Sequence, residues 1–167
     1  MFLVDRPAFA GVLLSAGADI EWFKTNDGRF YGTNFPLEVQ AGYSWPKYLD
    51  VYAEYSRYTS QSDTGNFTSK LTHEDYLIWA RRFITRRWLI NPYVALGLGA
   101  DQERLARTLG GETNYQTGDL EFLTSVALGW RYQIWKITMT LEGRLSWSAG
   151  YAPNPLPGAG YQLGFDF

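Results

Sequence analysis

The stretch WKITMTLEGRLSW, residues 135–147, alternates strictly between two kinds of side chain. Ile137, Met139, Leu141, Leu145 and Trp147 share one parity, and Thr138, Thr140, Glu142 and Arg144 share the other. Successive side chains of a β-strand point to opposite faces, so this is a strand with one apolar face and one polar face that carries ionisable groups. The fold depends on which of those faces meets water.

The same template repeats along the chain. GVLLSAGADIEWF (11–23) separates Val12, Leu14, Ile20 and Trp22 from Ser15, Asp19 and Glu21, and NFPLEVQAGYSW (34–45) separates Phe35, Leu37, Val39 and Trp45 from Glu38, Gln40 and Ser44. YLDVYAEYS (48–56), WLINPYVALGLGA (88–100), LEFLTSVALGWR (120–131) and the terminal GYQLGFDF (160–167) follow it as well. In LTHEDYLIWARRF (71–83) Leu77 and Trp79 compete with Tyr76, Ile78 and Ala80 for the apolar face, so its register stays open and either Arg81 or Arg82 faces inward. With 135–147 these make eight strands. WPKY (45–48), FITRRW (83–88) and RYQIWK (131–136) are tight connections, whereas 24–34, the stretch around 60–69, 101–116 and 148–158 are long and polar. QERLARTLGG in the third long connection is expected to form a loop or a short helix stopped by Gly110. Strands joined by short turns pair antiparallel, and eight of them close into a barrel without free edges.

Two barrels satisfy this pattern: a soluble cup with its apolar face inside, and a membrane barrel with that face outside. The polar face decides between them. It is mostly Gly, Ala, Ser and Thr, with Asp19, Glu21, Glu38, Asp50, Glu54, Glu121, Arg131, Glu142, Arg144 and Asp166 spaced among them. Small residues interleaved with isolated charges describe a narrow interior, since eight strands leave a lumen just wide enough to be filled by side chains. The aromatic residues Trp22, Trp45, Trp88, Trp130, Trp135 and Trp147 fall near strand ends, where membrane barrels carry girdles at the two interfaces. The expected fold is an all-β, eight-stranded antiparallel up-and-down transmembrane β-barrel. It has three short periplasmic turns and four long extracellular loops, and residues 1–167 form one domain.

Composition narrows the functional classes. Fifteen basic against 17 acidic residues leave no basic footprint for nucleic acid, and the absence of cysteine removes disulfides, thiolate metal sites and cysteine nucleophiles. No run of about 18 apolar residues suits a membrane helix. Residues 1–10 lack the layout of an export signal, so one is expected upstream in the full reading frame, with Met1 a cloning residue. No paired histidines or phosphate-binding glycine loop is present, so neither metal nor cofactor is expected.

The terminal Tyr161, Leu163, Phe165 and Phe167 resemble the assembly signal of Gram-negative outer-membrane β-barrel proteins, and PYVALGLGA (92–100) is similar to a strand of small OmpA/OmpX-like barrels. The resemblance implies a monomer in the bacterial outer membrane, contact with outer-membrane lipid and lipopolysaccharide, and insertion by the barrel assembly machinery. It implies a surface ligand at the long loops.

A lumen enclosed by lipid must neutralise its own charges, because an unpaired buried charge costs several kcal/mol. Arg131 and Arg144 are therefore expected to pair with Glu21, Glu38, Glu54, Glu121 and Glu142 in a network that plugs the interior. The function expected is structural or adhesion-like and non-enzymatic. The alternatives are an ion-conducting barrel and a lipid-A-modifying enzyme. The latter resembles small outer-membrane deacylases, which carry a serine two residues after their histidine; here Asp75 follows His73 at that spacing. His73 is expected at the exposed rim.

Overall fold

The computed structural model describes residues 11–24, 31–45, 49–64, 67–85, 90–148 and 154–167, without the side chains of 23–24, 31–34, 62–64 and 67. Ten strand segments appear: β1 Gly11–Lys24, β2 Tyr31–Asn34, β3 Leu37–Trp45, β4 Leu49–Thr64, β5 Phe67–Phe83, β6 Ile90–Leu109, β7 Glu112–Thr117, β8 Glu121–Ile134, β9 Ile137–Trp147 and β10 Leu156–Asp166. They build eight staves. β2 and β3 both pair with β1 and form one stave interrupted at Phe35–Pro36, and β7 and β8 both pair with β6 and form another. Neighbours run antiparallel in the order β10-β9-β8-β6-β5-β4-β3-β1. The sheet closes where β10 pairs back onto β1, with Leu14 opposite Phe165 and Ala16 opposite Leu163.

Closure sorts the two parities, and the sorting is the reverse of a soluble protein. Leu128 is 66% exposed and Val39 54%, whereas Asp50 is 0% and Arg81 1%. The apolar face points out along every stave, and the ionisable groups of the opposite parity are enclosed within the apolar band. On β6 the outward apolar residues run from Ile90 to Ala100, a span of about 35 Å along a strand at 3.4 Å per residue. Tilted by about 45°, such a span covers the roughly 25 Å apolar band of a membrane barrel. Leu96 sits midway. Leu96→Arg is therefore expected to destabilise the barrel by about 2–4 kcal/mol in lipid vesicles, read as a lowered urea midpoint. Arg107→Glu, beyond the band, is expected to change stability by less than about 0.5 kcal/mol.

Register on β5 is settled by closure. Tyr76, Ile78, Ala80 and Arg82 face out, while Leu77, Trp79, Arg81 and Phe83 are buried inside. Trp79 fits because its register partner on β6 is Gly97, where a Cβ would lie 2.8 Å from the indole. Tyr93 repeats the device opposite Gly129, while Tyr52, opposite Gly42, stacks its ring on Trp79. At Gly97 and Gly129 an inward ring therefore covers a glycine on the next stave, as in the aromatic rescue of sheet glycines.

Two expectations are corrected here. The segment 101–116 is neither a loop nor a helix: β6 continues to Leu109 and returns as β7. Gly110 and Gly111 turn the chain at φ of 59° and 92°, the left-handed pair that a two-residue hairpin turn demands. The stretch around 60–69 is likewise mostly strand, with β4 and β5 paired from Leu49–Arg82 up to Thr64–Phe67. The reason is shared. Once the staves are zipped together, continuing the hydrogen-bond ladder satisfies backbone groups that a polar loop would leave to water.

Candidate functional site

Two regions concentrate polar chemistry: the lumen, and the strand ends that rise beyond the apolar band. The lumen is organised around three arginines. Lowest stands Arg131, whose Nη1 donates to Asp50 Oδ2 at 2.6 Å and whose Nη2 donates to Asp166 Oδ1 at 2.6 Å. Ser44 donates to the other oxygen of Asp50 at 2.6 Å, and Gln133 donates to Asp166 at 3.1 Å. Each oxygen of Asp50 and Asp166 thus meets at least one fixed donor, which is what makes these enclosed carboxylates tolerable.

At the waist, Arg81 is clamped between two rings, with its guanidinium carbon 4.6 Å from the Tyr52 centroid and 4.5 Å from that of Tyr93. It donates to Tyr52 Oη at 2.9 Å. Tyr93 Oη in turn donates to Glu142. Arg144 gathers the largest set. Its nitrogens lie 2.9 Å from Glu38, 2.9 Å from Glu54, 2.6 Å from Glu142 and 3.1 Å from Asp19. Gln162 donates to Glu38 at 3.0 Å and Gln40 to Glu54 at 2.6 Å. The Trp79 ring lies 4.8 Å from the Arg144 guanidinium carbon, closing the waist from the side.

At the upper end stands His73, which is 2% exposed rather than at an open rim. The parity that puts Trp79 and Arg81 inside puts His73 inside as well. Its Nε2 lies 3.0 Å from Asp75 and 3.9 Å from Asp101, its Nδ1 lies 3.5 Å from Glu103, and its ring stacks on Tyr58 at 5.1 Å. Ser148 donates to Asp101 at 2.6 Å and to Glu121 at 3.3 Å. Both imidazole nitrogens therefore face carboxylates, an arrangement that favours a fixed cation over a base serving a hydroxyl nucleophile.

Of the charged residues expected to form a network, Glu38, Glu54, Glu142 and Arg144 come together. Arg131 lies apart, on aspartates rather than glutamates. Glu121 sits with Ser148, and Glu21 is buried at the same upper end. Asp19, Asp50 and Asp166 complete these sets. Their parity marks them as inward, but their pairing with an arginine 35 to 125 positions away is a product of closure. Tyr52 and Tyr93 share the parity of the polar face on their strands and are legible as lumen residues, whereas Trp79 and Arg81 are placed there only by the register of β5.

The girdle residues Trp22, Trp45, Trp130, Trp135 and Trp147 all lie on the outer surface, between 37% and 74% exposed; Trp88 falls outside the described residues. Tyr161, Leu163, Phe165 and Phe167 also project outward. Trp135 occupies the β8–β9 turn with φ of 57°.

Above the band, β4, β5, β6 and β7 stay paired as a projecting sheet. From Glu74 to Phe67 it rises seven residues, roughly 24 Å along the strand. All six residues of β7 are exposed, with Tyr115 at 82% and Leu109 at the hairpin tip at 64%.

A closed eight-stave sheet, inverted in polarity and with ion pairs on its inner face, is similar in fold to the small transmembrane barrels of the outer-membrane type. Comparison with solved structures agrees. The chain is similar to Neisserial surface protein A, at 17% identity and a TM-score of 0.71, covering 94% of this chain and 97% of that one. It is similar to Ail, the attachment invasion locus protein of Yersinia pestis, at 10% identity and a TM-score of 0.63 over 95% and 98% of the two chains. Ail has also been solved in complex with the heparin analogue sucrose octasulfate. The N-terminal β-barrel domain of Pseudomonas aeruginosa OprF follows at 16% identity and a TM-score of 0.53, over 95% and 100%. No family model matches the chain, and no curated protein matches it in sequence.

Proposed function

We propose that residues 1–167 form a single-domain, monomeric and non-enzymatic outer-membrane barrel that acts by surface contact. The contact is made by the sheet that β4 to β7 raise above the apolar band. The charged lumen is internal support, packed shut rather than open to ions, and Tyr161, Leu163, Phe165 and Phe167 are the strand read by the assembly machinery.

One observation carries the reading. The projecting sheet has the features of a contact surface and not of a catalytic one: it is continuously paired, mostly polar, and carries an exposed tyrosine and leucine near its tip. Binding sites favour aromatic residues displayed on a rigid frame. An apolar exterior over an ion-paired interior supports a place in a lipid bilayer, and likeness in fold to a protein named for attachment supports the surface role.

The test is adherence. Non-adherent bacteria displaying the intact chain are expected to bind cultured epithelial cells at least tenfold better than bacteria displaying a variant with 105–116 replaced by a two-residue Asn-Gly turn. Both barrels are first shown to be folded and displayed by their heat-modifiable gel mobility and surface labelling. Equal adherence by the trimmed and intact forms would refute the reading.

A further inference from the structure

The upper end of the lumen gathers more carboxylates than the cation beside them can balance. Asp75, Asp101 and Glu103 surround His73 at 3.0, 3.9 and 3.5 Å. Ser148 ties Asp101 to Glu121, its hydroxyl lying 2.6 Å from one and 3.3 Å from the other. Glu21 joins them from β1. It is 5% exposed and lies in the field of Asp75, Arg144 and His73, yet among the described residues no hydrogen bond or ion pair reaches it. Arg144 is committed lower down, to Asp19, Glu38, Glu54 and Glu142. The Tyr58 ring stacks on His73, and its hydroxyl, in the field of Glu21 and Asp75, makes no hydrogen bond among the described residues.

Five carboxylates facing one imidazolium leave an excess of negative charge in an enclosed space, which is unfavourable until a cation meets it. Spacing identifies the kind of cation. A hard metal ion draws oxygen ligands to about 2.0–2.6 Å, and among the described residues no three acidic or imidazole groups converge so closely. An ammonium suits wider spacing, since each of its charge-assisted hydrogen bonds spans about 2.7–2.9 Å. Just above His73 and Glu103, on the same inward parity, Leu71 and Leu105 are half-buried register partners. They give the entrance an apolar ledge against which an alkyl chain can lie.

We infer that the upper lumen binds an alkylammonium group, with its N–H donors on Glu21 and Asp75 and its alkyl chain along Leu71 and Leu105. The Tyr58 hydroxyl supplies a further acceptor, and Asp101 and Glu121 add attraction from the far side. A free diamine and a lysine side chain offered by another protein share this chemistry. The site rests on the closed barrel and stands apart from the surface contact proposed above.

Titration calorimetry of the folded, detergent-purified protein at low ionic strength tests the site. Cadaverine is expected to bind at least tenfold more tightly than pentamethonium, which has the same chain and charge but methyl groups in place of every N–H. Glu21→Gln should weaken cadaverine at least tenfold. The same change removes an enclosed carboxylate without a partner, so the urea midpoint in lipid vesicles should stay the same or rise, which separates a lost site from a lost fold. Leu71→Ser should weaken cadaverine more than methylamine. Tighter binding of a lysine-containing peptide than of its norleucine counterpart, with no binding of cadaverine, assigns the ammonium to a protein partner; the converse assigns it to a free amine. Unchanged affinity or a lowered midpoint in Glu21→Gln, equal binding of pentamethonium, tighter binding of magnesium or calcium ions than of either amine, or no binding of any amine would each overturn the site.

Discussion

Arg144→Met is expected to cost the folded barrel about 3–5 kcal/mol, the usual penalty for removing one partner of a buried ionic set. Arg144 is the cation within 3.1 Å of Asp19, Glu38, Glu54 and Glu142, so its loss leaves four enclosed carboxylates facing one another. Arg81 approaches only Glu142 among them, at 3.9 Å, and is already engaged with Tyr52. Unfolding by urea in lipid vesicles, followed by tryptophan fluorescence, measures the shift. Arg144→Lys should fall between wild type and Met, because it keeps the charge but not the planar fork that reaches several acceptors. Adding Glu38→Gln and Glu54→Gln to Arg144→Met should recover part of the loss, since an amide is cheaper to bury than an unpaired carboxylate. If Arg144→Met leaves the midpoint unchanged, the waist is hydrated and the cluster contributes little.

Trp79→Ala is expected to destabilise by about 3–5 kcal/mol, the range for truncating a fully enclosed large aromatic residue. Trp79 is 0% exposed, stacks on Tyr52 at 6.2 Å and 12°, and covers the backbone of Gly97. Its removal opens the waist beside Arg144 and strips the ring from a glycine that has no side chain of its own. The coupling is testable with Gly97→Leu. Alone, that change forces a side chain into the indole and should cost about 1–3 kcal/mol, as overpacking does. Combined with Trp79→Ala, it fills the vacated volume from the neighbouring stave, so the double variant should be more stable than Trp79→Ala alone. Additive losses in the same urea assay would show that the ring and the glycine are not a packing unit.

Both predictions concern residues whose roles were unequally visible beforehand. Arg144 is visible in 135–147, where its parity with Thr138, Thr140 and Glu142 puts it on the minority polar face. Trp79 is not, because it lies in a run of apolar residues of both parities, from Tyr76 to Ala80. Lipid and a packed lumen both accept an aromatic ring, so hydrophobicity does not distinguish them there. The complementary glycine does, but Gly97 becomes informative only when β5 and β6 are set in register. His73 follows the same logic. Its place inside depends on the parity of Trp79 and Arg81, and a histidine near a polar connection reads equally well as exposed.

What the sequence by itself determined is the number of staves, their antiparallel order and which parity faces lipid. Those follow from a period of two repeated over eight segments, and a periodic signal survives without knowledge of neighbours. Only the tertiary structure decided which carboxylate meets which guanidinium, that Arg131 takes Asp50 and Asp166 while Arg144 takes Asp19, Glu38, Glu54 and Glu142, and that polar stretches at 60–69 and 101–116 continue as paired strands. Such choices depend on shear and closure, which bring together residues as far apart as Asp19 and Arg144. Local alternation states the face a side chain takes, but the partner it finds across a closed lumen is a property of the whole cylinder.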